Sequence, residues 1–467
     1  MPATEMNPPA TTSLAPPQET RPTREGSFLR QVLRSLSSPA RFIYRRPGRA
    51  VLLLGIFLLT CCVIAAVGLW IWFESHLRSA RNDLAKGHNS EAVRHLRACQ
   101  RVRPEQREVL LLSARAARRA GSWDEADSML NTYWQRYGDE EPLVFERLLH
   151  RAARGEVESV GSSLRAHIQQ GGDEARLARE ALVVGLISRF RWVEARTFLE
   201  EWLAETPDDT LPLLQMGKFQ EQLLNIDEAT RIYRRVLELD PDQLEARLRL
   251  ATILVMRRLS EEAATELAIL KEKLPNHAEV QVLWARALSL LGRTEDARRA
   301  IEECLRAYPD YPAALLERGN NALIDGNEIE AEQYLARAVR LDPGNILIHN
   351  QYALVLGRNG KQAQVAAEYA KAHQLQTDGE RISQIIRGPL QDNPNDPALH
   401  HEIGTIALRS GLVTEAIRWF TSALQVDPDH LPTHRVLANI YRELDNPALA
   451  AKHRAIAQKL SLQQGKH

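Results

Sequence analysis

Residues that could perform chemistry are present in this 467-residue sequence, but their spacing matches no catalytic motif. The sequence has no phosphate-binding glycine loop, no GxGxxG dinucleotide fingerprint, and neither an HExxH nor a GxSxG segment. Its four cysteines include no CxxC pair of the kind used for zinc or redox chemistry. We therefore expect no catalytic residue, no cofactor and no bound metal ion.

Two sets of side chains are the remaining candidates for chemistry. Four histidines cluster late in the sequence, namely His400, His401, His430 and His434. Metal binding needs three or four ligands that converge, and this spacing does not impose that geometry. Cys99 and Cys304 recur at the same position, 27, of the internal repeat described below, a small site between helices that is typical of buried structural thiols rather than reactive ones.

The overall charge gives little indication of a nucleic-acid partner. Sixty basic residues balance sixty acidic ones, and the isoelectric point is near 7.3. A neutral chain has no bulk attraction to phosphate backbones, so we expect no nucleic acid to bind. A hydrophobic content of 44% and a charged content of 26% are ordinary globular values, which exclude a mostly disordered or fibrous chain.

Residues 1–49 form a polar and basic N-terminal segment. Residues 1–25 contain six prolines and no apolar period, so we expect them to be disordered. Beyond them, apolar residues alternate with arginines at helical spacing, at Phe28, Leu29, Val32, Leu33 and Leu36. This pattern predicts a basic amphipathic helix, either lying on a membrane surface or simply solvated.

Residues 50–73 are 24 consecutive residues without a charge. As a helix they would extend about 36 Å, enough to cross a hydrocarbon core of about 30 Å. Trp70 and Trp72 lie at the downstream end, where amphipathic rings favour the headgroup region. We predict a transmembrane helix. A cleaved signal peptide is the alternative, which the length of the run and of the preceding segment disfavours.

The basic residues that flank this run predict its orientation. Five arginines lie upstream between positions 34 and 49, whereas three basic residues lie downstream, at Arg78, Arg81 and Lys86. Because positive charge is retained on the cytoplasmic side, we expect a cytoplasmic N-terminus. The remainder of the chain would then be extracytoplasmic, for example periplasmic.

An internal repeat fills the rest of the sequence. Prolines recur at a constant spacing, at positions 207, 241, 275, 309 and 343. Aligned on them, small residues recur at the eighth and twentieth positions, as at Gly404 and Ala416 or at Gly319 and Ala331. Large apolar residues recur between them. Small residues let two helices approach closely, and the proline ends the second helix.

These residues resemble the tetratricopeptide repeat, a helix–turn–helix of about 34 residues. Eleven units fit, beginning at positions 73, 107, 142, 176, 210, 244, 278, 312, 346, 397 and 431. Glu141 is counted as an extra residue, residues 380–396 as a short insertion, and the unit at 142 as degenerate because of Gly161 and Arg165. We predict an all-α, right-handed solenoid over residues 74–464, preceded by one transmembrane helix, as in bacterial single-pass membrane proteins of this family.

The resemblance implies a binding groove on the concave face. In such arrays the first helix of each unit lines the groove, chiefly through positions 2, 5, 9, 12 and 13. Near the predicted membrane helix these positions are basic, at Arg81, Arg115, Arg118, Arg119, His150 and Arg154. They would hold acidic peptide segments or phosphate groups. Alternatively, they are solvated arginines in an arginine-rich chain.

Some family members hold a terminal carboxylate with a basic residue at position 5 and Asn at position 9. Arg435 and Asn439 match these positions in the last unit, and Asn320 matches position 9 of an earlier one. In that earlier unit Leu316 occupies the basic position. The complete clamp is therefore absent from consecutive units, and looser peptide binding remains possible.

Together these features predict a membrane-anchored scaffold that binds protein partners in the concave groove. One alternative is an assembly or envelope-biogenesis factor that contacts lipid or glycan head groups, since the chain resembles bacterial membrane-anchored repeat proteins that regulate outer-layer synthesis. An enzyme is the remote alternative, because the anchor and the repeats leave no stretch for a catalytic domain.

Overall fold

The computed structural model describes residues 47–464, and these residues contain helices and no strand. The predicted disordered tail and the predicted amphipathic helix near residues 27–36 lie outside the described residues. Within the described residues, backbone contacts separate residues 47–74 from residues 75–464. The predicted all-helical class is confirmed.

Helix α1 (Pro47–Lys86) contains the predicted membrane-crossing residues. From Leu54 to Lys86 it has 33 residues with a hydropathy of 2.6 in its most apolar window, and that window is not buried. Its large side chains are exposed, including Leu59, Ile64 and Trp70. Within the described residues this is the one helix that is long and apolar enough to cross a membrane.

Residues 75–464 form paired helices. After the C-terminal part of α1, the first helices of the pairs are α3 (Arg107–Arg119), α5 (Glu141–Ala153), α7 (Gly172–Ser188), α9 (Thr210–Gln222), α11 (Leu244–Met256), α13 (Ala278–Leu290), α15 (Pro312–Ile324), α17 (Ile346–Arg358), α20 (Pro397–Arg409) and α22 (Leu431–Glu443). The second helices are α2 (Asn89–Val102), α4 (Trp123–Tyr137), α6 (Val157–Gln170), α8 (Trp192–Glu205), α10 (Ile226–Leu239), α12 (Ser260–Lys273), α14 (Thr294–Ala307), α16 (Glu328–Leu341), α18 (Gln362–Arg387), α21 (Val413–Val426) and α23 (Pro447–Gln464). The predicted hairpin units are thus confirmed.

The predicted close approach at position 8 is present in three units. A Cβ atom added to Gly217, Gly319 or Gly404 would lie 2.5–2.7 Å from the side chain of the partner helix. The alanines predicted at position 20 are buried as well, for example Ala229 and Ala416. Small residues at these two positions therefore set how closely the two helices of a unit pack.

The turn inside each unit has a left-handed residue at position 15. The φ angles at this position lie between 53° and 94° in every unit. Glycine fills it in seven units, but four units use Phe190, Leu224, Arg258 and Asp445 instead. A non-glycine residue in this conformation costs roughly 1–2 kcal/mol, so each of these four turns is strained.

The same pattern corrects the register of the third unit. Gly155 is its left-handed turn residue, and α5 begins at Glu141, so the unit starts at 141 rather than 142. Val160 and Leu164, both fully buried, then occupy positions 20 and 24. The unit is not degenerate, and the expectation based on Gly161 and Arg165 was wrong. The extra residue falls after this unit rather than before it.

The insertion at residues 380–396 lengthens one helix and adds another. Its first residues continue α18 to Arg387, and α19 (Pro389–Asp392) follows. Ile385 and Leu390 from this region are fully buried and share a core with Phe190. The inserted residues therefore pack against the fourth unit, which lies much earlier in the chain.

Helix α21 makes the same long-range contact. The rings of Phe190 and Trp419 stack with centroids 3.2 Å apart and planes at 8°. Ser422 donates a hydrogen bond from Oγ to the carbonyl oxygen of Arg189 at 3.1 Å. The tenth unit thus closes against the fourth, which a nearest-neighbour repeat does not require.

The candidate metal histidines are hydrogen-bonded within the fold. His401 and His430 place Nδ1 2.9 Å and 2.7 Å from the hydroxyl oxygen of Thr433. His400 and His434 occupy position 4, as does His349, and each of these three places Nε2 2.9 Å from the carbonyl oxygen of a proline in the turn before its helix. Nε2–H donation to that carbonyl links the first helix to this turn. In residues 47–464 no group of three His, Cys, Asp or Glu residues has the geometry to hold a metal ion.

Acid is expected to destabilise the last unit through His453. Burial, with the neighbouring charges of His434 and Lys452, lowers the pKa of His453 to about 4. The unfolded chain would bind this proton near its ordinary pKa of about 6.5, so stability is complete above that pH and is lost as the pH falls toward the folded value. Hydrogen exchange in α23 should therefore quicken across this window. A His453→Gln variant should show a shallower pH dependence, and equal slopes would contradict the assignment.

The two thiols of the repeat region are inaccessible. Cys99 and Cys304 are both fully buried. Burial raises the pKa of Cys304 to about 11, which keeps the thiol protonated at neutral pH. This agrees with the structural role expected for these cysteines.

Candidate functional site: the inner cavity and the apolar row

The inner face of the paired helices contains a cavity of about 720 Å³. Its walls come from the first helices α3, α7, α9 and α11, and α21 adds a further side because of the long-range closure. Arg119, Ser188 and Gln222 line it, and all three occupy position 13 of their units. Position 13 therefore marks the inner face, as expected for this kind of repeat.

Three of the arginines predicted as groove residues lie in the wall of this cavity, namely Arg118, Arg119 and Arg154. Arg119 donates from Nη2 to Glu180 at 2.7 Å and from Nη1 to the carbonyl oxygen of Leu84 at 2.6 Å. Burial alone would raise the pKa of Glu180, but the guanidinium groups of Arg119 and Arg118 hold it below its usual value. Glu180 is therefore ionised.

Arg115 lies beside this cluster and is also paired. It donates from Nε to Oε1 of Glu146 at 2.8 Å, and the Glu146 side chain is 3% exposed. The two carboxylates of the cluster lie on α5 and α7, the first helices of the next two units. Thus the inner face near these units is less basic than the arginines alone predicted.

Arg118 differs from its two neighbours. Its side chain is buried, with 4% of the residue exposed, and its Nε and Nη2 atoms have no hydrogen-bond partner among the described residues. Burial lowers its pKa, with opposing contributions from Glu180 and Glu146. A guanidinium stays charged even so, because its intrinsic pKa is above about 12.

His150 and Arg154 share a partner in Asp127. Arg154 donates from Nη1 to Asp127 at 2.9 Å, and His150 Nε2 lies 3.1 Å from the same carboxylate. His150 is buried edge-on against Trp123, and burial lowers its pKa. The corrected register moves these residues to positions 10 and 14, so the prediction that they hold positions 9 and 13 was wrong.

The other predicted residues lie apart from the cavity. Arg81 donates to Glu108 at 2.7 Å on the exposed surface. Asn320 is half-buried on α15. Arg435 and Asn439 are exposed and line a separate, open pocket of about 620 Å³, where Arg435 donates to Ser461 at 3.0 Å. The partner-binding role assigned to all of these residues remains a prediction.

Sequence reasoning missed several charged residues of the cavity. Three of them are paired: Lys218 with Glu245 at 2.8 Å, Arg249 with Glu221 at 3.3 Å, and Arg418 with Glu415 at 2.8 Å. Arg189 also lines the wall. It donates from Nε to the carbonyl oxygen of Gly155 at 2.8 Å and has no carboxylate partner within the described part of the chain. Burial lowers its pKa.

A row of exposed aliphatic side chains was also missed. Met256, Leu290 and Ile324 occupy position 13 of three successive units and are 73%, 39% and 71% exposed. Their helices α11, α13 and α15 contact one another in order. The sequence contains the signal for this row, because these three apolar residues lie one repeat apart at a position that belongs to the groove. We call these residues the apolar row.

Stacked helical hairpins with an inner cavity and an exposed apolar row define an all-helical repeat scaffold. Family models of the tetratricopeptide repeat match residues 77–127, 213–287 and 282–346. These stretches of the chain are therefore tetratricopeptide repeats. Such repeats generally form non-catalytic scaffolds for protein interactions.

Several known proteins are similar. A TPR repeat-containing protein of Pseudomonas aeruginosa is 29% identical over 191 residues, covering 40% of this chain and 30% of that protein. Tetratricopeptide repeat protein 13 of Homo sapiens is 25% identical over 244 residues, covering 51% and 26%. The matched region thus spans less than a third of either relative.

Two solved structures show limited likeness. The crystal structure of the APC/C hetero-tetramer Cut9–Hcn1 has a TM-score of 0.34 and 14% identity, covering 86% of this chain and 85% of that one. The MamA protein has a TM-score of 0.29 and 19% identity, covering 37% and 94%.

Proposed function

We propose that this protein is a membrane-anchored scaffold that binds protein partners along the inner face of its repeats. The apolar row carries this proposal. Three aliphatic side chains on adjacent first helices are left exposed at one repeat position, although a soluble protein gains by burying them. Helix axes in contact are about 8–10 Å apart, so the row would extend roughly 20 Å, enough for a helical or extended peptide.

The surroundings of the row favour a protein ligand. Leu347 and Leu354 lie on the next first helix, α17, and are 60% and 40% exposed. They occupy positions 2 and 9, which belong to the same groove in this family. Apolar contacts in the centre with polar residues at the rim are typical of protein interfaces.

A photo-crosslinking residue placed at Ile324 in the full chain is expected to form partner adducts in native membranes. The matched control is Leu341, an exposed leucine on the second helix of the same unit, which is 44% exposed. Adducts should form from position 324 and be absent from position 341. Equal labelling from both positions would refute the groove, and adducts with lipid alone would favour an envelope factor that contacts head groups.

Helix α1 supports the anchoring part of the proposal. Its exposed apolar side chains over residues 54–72 would be solvated by lipid rather than water. The full chain should therefore resist extraction from membranes at alkaline pH. Cleavage of residues 75–464 by a protease on the outer side of an intact cytoplasmic membrane would support the extracytoplasmic orientation. Cleavage from the cytoplasmic side would reverse it.

A further inference from the structure

The wall of the inner cavity holds an excess of buried positive charge. Arg118, Arg119 and Glu180 line the wall, and Arg115 and Glu146 lie beside them, with the Arg115 side chain 20% exposed and that of Glu146 3% exposed. Three cations therefore face two anions. Burying an unbalanced charge is costly unless a counter-charge accompanies it.

The excess charge can be assigned to particular residues. Arg115 and Arg119 each donate to a carboxylate, whereas Nε and Nη2 of Arg118 have no partner in the described structure. Arg189 also lines this cavity. It donates to a main-chain carbonyl and has no carboxylate partner among residues 47–464. The other basic side chains of the wall each lie against a carboxylate, as given above.

From this arrangement we propose that the inner cavity binds a small organic molecule with two negative charges. Arg118 and Arg189 would each pair with one anionic oxygen group, as guanidinium groups do with carboxylate or phosphate. Arg118 would use its unpaired Nε and Nη2 groups for this pairing. A dicarboxylate and a phosphate monoester both carry two negative charges on oxygen atoms and could both pair with guanidinium groups in this way.

The size and the apolar part of the wall agree with a small ligand. Cavities of about 300–1,000 Å³ are typical of small-molecule sites, and this one measures about 720 Å³. Leu214, Val184 and Ile417 supply apolar wall between the arginines. The site is distinct from the apolar row, and the proposal does not depend on partner binding there.

The proposal predicts opposite effects of removing two adjacent arginines. Arg118→Met would leave the buried cluster with two cations and two anions, so the unliganded protein should melt at a higher temperature than wild type. Arg119→Met would leave the buried carboxylate of Glu180 without its guanidinium partner and should therefore lower the melting temperature. A lower melting temperature for Arg118→Met would make Arg118 a structural residue and overturn the proposal.

Binding is tested on the full chain in detergent by thermal shift and calorimetry. The probes are succinate and inorganic phosphate, with sodium chloride at matched ionic strength as the reference. The wild type should show a saturable rise in melting temperature with at least one dianion and none with chloride. Succinate alone would identify a dicarboxylate site, and phosphate alone would identify a phosphate-ester site. A response to neither dianion would overturn the proposal.

Two variants, Arg118→Met and Arg189→Gln, decide whether binding belongs to this cavity. Arg118→Met should abolish the dianion shift, and Arg189→Gln should weaken binding at least tenfold. Arg257→Gln is the matched control, because that exposed arginine pairs with Asp227 and does not line the cavity. If all three variants respond like wild type, an adventitious ion only is bound. Photo-adducts at position 324 should persist in Arg118→Met, which separates this result from the scaffold proposal.

Discussion

Replacing Gly185 by alanine is expected to destabilise the repeat array by about 3 kcal/mol or more. A Cβ atom at this position would lie only 2.1 Å from the main-chain oxygen of Ala152. That oxygen belongs to α5, so it cannot rotate away as a side chain would. Helices α5 and α7 would have to separate, and the core between them would lose contacts. The measurement is the midpoint of urea unfolding for the full chain in detergent.

Gly161 provides the matched control, because it is also a helical glycine and lies on the neighbouring helix α6. The nearest atom to an added Cβ is 3.8 Å away, an ordinary contact. Gly161→Ala should therefore stabilise the protein by roughly 0.5–1 kcal/mol, since alanine favours a helix more than glycine does. Equal and small effects of the two substitutions would show that α5 and α7 are not in close contact.

The small residues illustrate what the repeat pattern can predict. Gly404 and Ala416 were placed at a close helix–helix approach because spacing alone determines which residues face the partner helix, and the structure confirms it. The start of the third unit was predicted wrongly because position 32 of that unit holds Gly172 instead of proline. No proline therefore marked the end of the unit. Gly155, the left-handed residue of the turn, was the better marker.

The candidate site was harder to predict, because its chemistry depends on distances between units. The arginines on α3 were found from their repeat positions, but their partners Glu146 and Glu180 lie one and two units further along. Arg418 reaches the cavity only because the tenth unit closes on the fourth. A repeat specifies how neighbours stack, whereas this closure depends on the accumulated rotation of several units.

Replacing Trp419 by alanine is expected to cost about 3–5 kcal/mol, because it removes a buried indole from that closure. Trp419 is 4% exposed and stacks on Phe190, while the ring of His400 lies edge-on at 5.5 Å. Phe190 has a φ of 58°, at a turn position that glycine fills in most units of the described chain. The energetic cost of this backbone conformation is offset by the packing of the Phe190 ring on Trp419. Loss of Trp419 removes that packing.

The expected change is local as well as global. Hydrogen exchange should quicken in α7, α20 and α21, which meet at this contact, before it does in α13 or α14. Trp134 is the matched control, since it is 48% exposed on α4, and Trp134→Ala should change stability by less than about 1 kcal/mol. If Trp419→Ala were as mild as the control, the fourth and tenth units would not be held together by this stack. The cavity would then lack its α21 wall, and Arg418 would face solvent.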